Sequence, residues 1–219
     1  MLKIKLEKIC KQIKGITVLD NISVEMESGK IYGFQGINGS GKTMLMRVIS
    51  GLIRATSGYV IINDKKLGKD ITFPESMGLL IENPAFLDGY SGFENLKILA
   101  SIKEKVNDDE IKDIIAKVGL NPDDKKKYRK YALGMKQRLG IAAALMENPD
   151  LVILDEPTNA LDSDGIETVK KLIAEQKAKG SLVILSCHDF SILESLSDEI
   201  ISLECGKIKS NNRSDRNEK

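Results

Sequence analysis

The chain has 219 residues, 42% of them hydrophobic, enough for one large domain or a core with a small inserted lobe. Its 33 basic and 32 acidic residues leave a net charge of +1, and aromatics are only 5% with no Trp, so neither a basic field nor base-stacking platforms point to nucleic acid. No apolar run approaches the roughly 18–20 residues of a membrane span; MLKIKLEKIC carries charges where a signal peptide needs an apolar stretch, and Cys10, Cys187 and Cys205 show no metal-ligand spacing, so a reducing, cytosolic setting is expected.

The first third reads as β. IKLEKIC (4–10) and VLDNISVEM (18–26) alternate in part, and Glu27-Ser28-Gly29 follows as a turn. KIYGFQG (30–36) is strand-like and TMLMRVIS (43–50) helix-like. GLIRATSG (51–58) breaks the pattern before the strands YVIIND (59–64) and MGLLIE (77–82). From about Asn83 to Leu145 the character turns helical. Asn107 and Glu110 form a capping-box pattern, Ile111, Ile114, Ile115 and Val118 share one face, and Gly119 ends that helix. The run KKKYRK (125–130) reads as a solvated face. Beyond Asp150, the apolar strands LVIL (151–154) and SLVILSC (181–187) alternate with an amphipathic helix, marked by Ile166, Val169, Leu172 and Ile173 and ending at Gly180, and a helix near 189–197, before EIISLE (199–204). Such alternation predicts an α/β fold with a parallel sheet covered on both faces. SNNRSDRNEK (210–219) has no apolar face and is expected to fray.

Two constellations carry chemistry. GINGSGKT (36–43) has the P-loop spacing and joins a strand to a helix. Its glycines let N–H groups curl around phosphates, Lys42 reaches the β/γ-phosphates, and Thr43 offers a hydroxyl to Mg²⁺. LVILDEPT (151–158) places Asp155 and Glu156 directly after a buried strand, where a carboxylate needs a cation or hydrogen bonds. Ligands of open α/β sheets bind at that end of the strands, so Asp155 can meet the metal held by Thr43 while Glu156 faces an attacking water. Between them lies YALGMKQRLG (131–140), and after them come NALD (159–162) and His188, the single histidine.

With GINGSGKT, LIENPAF, YALGMKQRL, LVILDEP, NALD and SCHD in this order, the chain resembles the nucleotide-binding subunit of an ABC transporter from about Leu2 to Ile208. The resemblance implies one domain over 1–208. A small antiparallel β subdomain and a P-loop NTPase (RecA-like) core would occupy about 1–82 and 146–208, an inserted α-helical subdomain about 83–145, and a flexible polar tail 209–219. It implies that two copies sandwich two ATP molecules, with Gly36, Asn38, Gly39, Ser40, Gly41, Lys42, Thr43 and Met44 around the phosphates. Thr43 and Asp155 would serve Mg²⁺, Glu156 polarise the water, His188 contact the γ-phosphate and Asp162 work at the dimer seam. Ala132, Leu133, Gly134 and Met135 would form the signature presented to the partner's ATP. A multi-span membrane permease would hold the subunit at the cytoplasmic face of the membrane.

Three positions depart from the family pattern. Ala132 stands where a serine usually bonds the γ-phosphate, a charged hydrogen bond worth about 1.5–3 kcal/mol. Ile13 aligns with the aromatic residue that stacks on adenine. Glu82 replaces the usual glutamine at the core–helical junction, where its oxygen would meet Mg²⁺ or its water. Glu82, LGMKQRL and GFENL (92–96) resemble the bacteriocin- and lantibiotic-immunity and bacitracin-resistance exporters, which implies export of an antimicrobial peptide or drug. The alternative, a soluble ABC ATPase acting on ribosomes or DNA, fits poorly with a single P-loop, no heptad run and near-zero net charge.

Overall fold

Alternation along the first two strands builds a sheet with one buried face. In the computed structural model, which describes residues 1–213, β1 (Lys3–Ile13) turns Ile4, Leu6 and Ile9 inward, and β2 (Ile16–Glu27) turns Leu19, Ile22, Val24 and Met26 inward. These strands pair antiparallel, and β4 (Ser57–Ile62) and β5 (Lys65–Lys66) extend the sheet in the order β2-β1-β4-β5.

The second sheet has six strands in the order β10-β9-β3-β8-β7-β6. Its members are β3 (Ile31–Gln35), β6 (Met77–Leu80), β7 (Leu151–Leu154), β8 (Leu182–Ser186), β9 (Glu199–Glu204) and β10 (Lys207–Arg213). All of its pairings are parallel except β9 with β10. The continuous apolar runs are explained by burial on both faces. Leu151 and Ile153 of β7 join a core under the antiparallel sheet, together with Phe34 and the P-loop helix residues Leu45, Met46 and Ile49. Val152 and Leu154 point the other way, into a core shared with the helices.

Between β6 and its parallel neighbour β7 the chain makes α2 (Gly92–Ala100), α3 (Asp108–Lys117), a short 3-10 turn at Tyr128–Lys130 and α4 (Leu133–Leu145). The Asn107/Glu110 capping box is present at the start of α3, and a second one, Ser91 with Glu94, opens α2. Helices α1 (Lys42–Ile49), α5 (Ser163–Ala178) and α6 (Phe190–Leu196) complete the chain. No described helix is long and apolar enough to cross a membrane.

Two expectations need correction. The polar tail does not begin at 209: β10 runs to Arg213, because ladder hydrogen bonds to β9 need no apolar side chains. The remainder of the expected tail, 214–219, lies outside the described residues. In KKKYRK, Lys125, Lys126, Arg129 and Lys130 are exposed, but Tyr128 is buried. Its ring packs edge-on against Phe86, and its hydroxyl donates to the Pro84 carbonyl at 2.5 Å, pinning this basic segment to the junction after β6.

Candidate active site

The loop 36–41 leaves β3 at its carboxyl end and enters α1. Gly41 caps the helix at φ 108, and a Cβ there would come within 3.0 Å of Leu19. That conformation is open to glycine and strained for other residues. The cap makes no side-chain hydrogen bond and the first turn carries no acidic residue, so the N–H groups of this turn are left for an anion. Ser40 Oγ is buried and has no hydrogen-bond partner among the described residues. Lys42 Nζ donates to the carbonyls of Gly36 (2.6 Å) and Ile37 (3.3 Å), which hold the ammonium over its own loop.

The end of β7 brings the acids to this loop. Asp155 is buried, accepting from Thr43 Oγ1 at 2.6 Å through one oxygen and from Ser186 Oγ at 2.6 Å through the other. Ser186 also accepts the Glu156 N–H at 3.0 Å, so one hydroxyl at the end of β8 orients both acidic residues. Glu156 stands at φ 53, and its carbonyl accepts from Gln137 Nε2 at 3.1 Å. Its Oε2 is buried with no hydrogen-bond partner among the described residues, and His188 Nε2 lies 3.7 Å away. Burial pushes the Glu156 carboxyl above the usual range; the neighbouring His188 opposes this and the Asp155 carboxylate adds to it.

A cleft of about 300 Å³ results, lined by Asn38, Gly39, Gly41, Lys42, Thr43, Met44, Asp155, Glu156 and His188, with Val18 and Arg47 at its margins. The other expected residues lie outside this lining. Ile13 pairs with Ile16 at the tip of the β1–β2 hairpin and is 39% exposed, whereas Val18 reaches the cleft. Glu82, at φ 61, is ion-paired at 2.5 Å with Arg47 of α1, so the cleft margin meets it through that arginine. Ala132 is the N-cap of α4 without a side-chain cap bond, Leu133 is 60% exposed, Gly134 abuts Ala160, and Met135 packs on the helical core. Asp162 caps α5 by accepting from the Gly165 N–H (3.0 Å) and from Arg138 (2.9 Å).

Ser186, Gln137 and Arg47 escape the sequence reading. The first two left a signal there: a polar residue inside a buried strand, and an amide one turn before the buried Ile141.

A glycine-rich loop opening a helix, with two acids at the end of a parallel strand one removed from the loop's own, defines a P-loop nucleoside triphosphatase. The ABC transporter family model matches residues 19–159, and the chain belongs to that family as an ATPase domain. It is 45% identical over 210 residues to the ABC transporter ATP-binding protein YybJ of Bacillus subtilis (strain 168), covering 96% of each chain. Identity is 35% over 206 residues to the lantibiotic transport ATP-binding protein SrtF of Streptococcus pyogenes, with 94% of this chain and 88% of that one covered. The bacitracin transport ATP-binding protein BcrA of Enterococcus faecalis is 38% identical over 199 residues, covering 90% of this chain and 65% of that one. The fold matches that of the ATP-binding cassette MJ0796, solved as a dimer in a post-hydrolysis state with ADP and Pi. The TM-score is 0.87 at 22% identity, over 96% of this chain and 98% of that one.

Proposed function

We propose that this chain is the ATP-hydrolysing subunit of a membrane exporter for antimicrobial peptides or related drugs. In this reading it works at the cytoplasmic face of the membrane, on a multi-span permease, paired with a second nucleotide-binding subunit. The lantibiotic and bacitracin transport relatives support the cargo class. The observation that carries the hydrolytic part is the linked set Thr43–Asp155–Ser186–Glu156, with Lys42 and His188 facing the same cleft.

The residues present suit ATP and Mg²⁺. Ser40 Oγ is a buried hydroxyl in the loop with no partner among the described residues, and the first turn of α1 offers N–H groups to phosphate. Thr43 and Asp155 bring two oxygens together at 2.6 Å, the donor type Mg²⁺ takes. When bound, the ion supplies charge stabilisation on the phosphoryl oxygens. Lys42 exchanges its carbonyl partners for phosphate oxygens and stabilises charge as the phosphoryl group transfers. Glu156 then orients and polarises the attacking water, helped by the burial that raises its proton affinity. His188, exposed at the cleft, contacts the γ-phosphate. Glu156→Gln keeps ATP binding and lowers steady-state hydrolysis at least about 100-fold, the low end of what a positioned acid–base group contributes. Parental turnover in that variant would remove Glu156 from this role.

A further inference from the structure

Helix α4 touches the turn that carries Glu156 at three points. Gln137 Nε2 donates to the Glu156 carbonyl at 3.1 Å. Arg138 donates to the Asp162 carboxylate at 2.9 Å. Gly134 lies so near Ala160 that a Cβ on it would stand 2.8 Å from the Ala160 carbonyl oxygen. All three belong to the first six residues of the helix, directly behind the exposed Ala132 and Leu133.

The Gln137 contact bears on the chemistry. A non-glycine residue in left-handed conformation, as Glu156 is at φ 53, is strained and persists where its surroundings over-determine it. Here the peptide groups are held from both sides: Ser186 Oγ accepts the Glu156 N–H, and the Glu156 C=O accepts from Gln137 at 3.1 Å and from the Asn159 N–H at 3.2 Å. The carboxylate is only partly held by its own contacts: the His188 backbone N–H bonds it, but Oε2 is buried without a hydrogen bond among the described residues. Its direction therefore depends on the backbone as well, and the shorter of the two bonds to the Glu156 carbonyl comes from a side chain that is itself buried, at 6% exposure. Removing that donor leaves the carbonyl with the Asn159 N–H alone, at 3.2 Å, and loosens the strained residue.

We propose that Gln137 is a positioning residue for hydrolysis: its amide fixes the backbone of Glu156 and couples the seating of α4 to the aim of the carboxylate in the same subunit. This rests on the reading of Glu156 as the group that polarises the water. Under it, the end of α4 that is presented outward also governs hydrolysis within its own chain, through one hydrogen bond.

The test compares Gln137→Leu and Gln137→Glu in the full chain, each in the parental and in the Glu156→Gln background. Steady-state ATP hydrolysis, binding of a fluorescent ATP analogue and Tm are measured. Both substitutions keep the side-chain size; Leu removes the donor and ionised Glu opposes the carbonyl, so whichever variant folds decides the matter. In the parental background kcat falls at least about tenfold while KM and analogue affinity stay within about twofold, the pattern of an interaction that acts in the transition state. In the Glu156→Gln background the same substitution alters the residual rate less than about twofold, because both changes act through one group. An unchanged kcat in the parental background, or an equal loss in both backgrounds, would overturn the proposal. Parental turnover by Glu156→Gln alone would strike at the assignment of Glu156, and at this inference with it.

Discussion

Glu156 carries its charge where the protein disfavours it. Burial raises its carboxyl above the ordinary 4.5, with Asp155 adding to the rise and His188 opposing it. The folded state therefore favours the protonated acid. That advantage is complete below pH 4.5 and is lost as pH rises through the raised value, so at neutral pH the ionised side chain lowers stability. Gln cannot ionise. The Tm of Glu156→Gln, measured across pH, matches the parent below pH 4.5 and exceeds it by a few degrees at pH 7 and above; a constant offset at all pH values would contradict the burial argument. At this scale the meeting of Lys42, Thr43, Asp155 and Glu156 in one cleft was legible in the sequence, because a loop after one strand and acids after another face the same end of a parallel sheet. Ser186 and Gln137 were not, since their importance lies in which carbonyl, N–H or carboxylate they face across the chain.

At the scale of elements, α4, like α1, begins without a side-chain cap or an acidic residue in its first turn. Its N-cap, Ala132, has extended φ/ψ of −64° and 160°, the geometry a serine uses to accept from the first-turn N–H groups, but no oxygen to do so. Ala132→Ser therefore acts twice. It stabilises the fold by about 0.5–2 kcal/mol as a cap, read as a rise in Tm without nucleotide. It also strengthens ATP-dependent self-association, read by sedimentation. A Tm gain with unchanged association would confine Ala132 to capping. The α3 capping box and the doubly buried strands β7 and β8 could be read in advance, because short-range chemistry or continuous apolarity dictates them. The strand β10 and the buried Tyr128 could not. One is held by backbone pairing with β9, the other by distant Pro84 and Phe86, and neither bears a local pattern.

Across the whole molecule, the parallel sheet gathers the P-loop after β3, Asp155 and Glu156 after β7, and His188 after β8 into one cleft, with Ser186 at the end of β8 buried behind the acids. Ala132–Met135 lie outside that lining, with Leu133 largely exposed. Strand order was not legible in the sequence, because β6 and β7 become neighbours across the whole helical segment between them. The proposed function has this site close against a second copy or a related subunit. It is tested most directly by light scattering on Glu156→Gln with ATP, with ADP and without nucleotide, beside parental turnover at increasing protein concentration. The account predicts a dimer with ATP only, and a parental rate per subunit that rises with concentration. A monomer under every condition, with a rate per subunit independent of concentration, would contradict it.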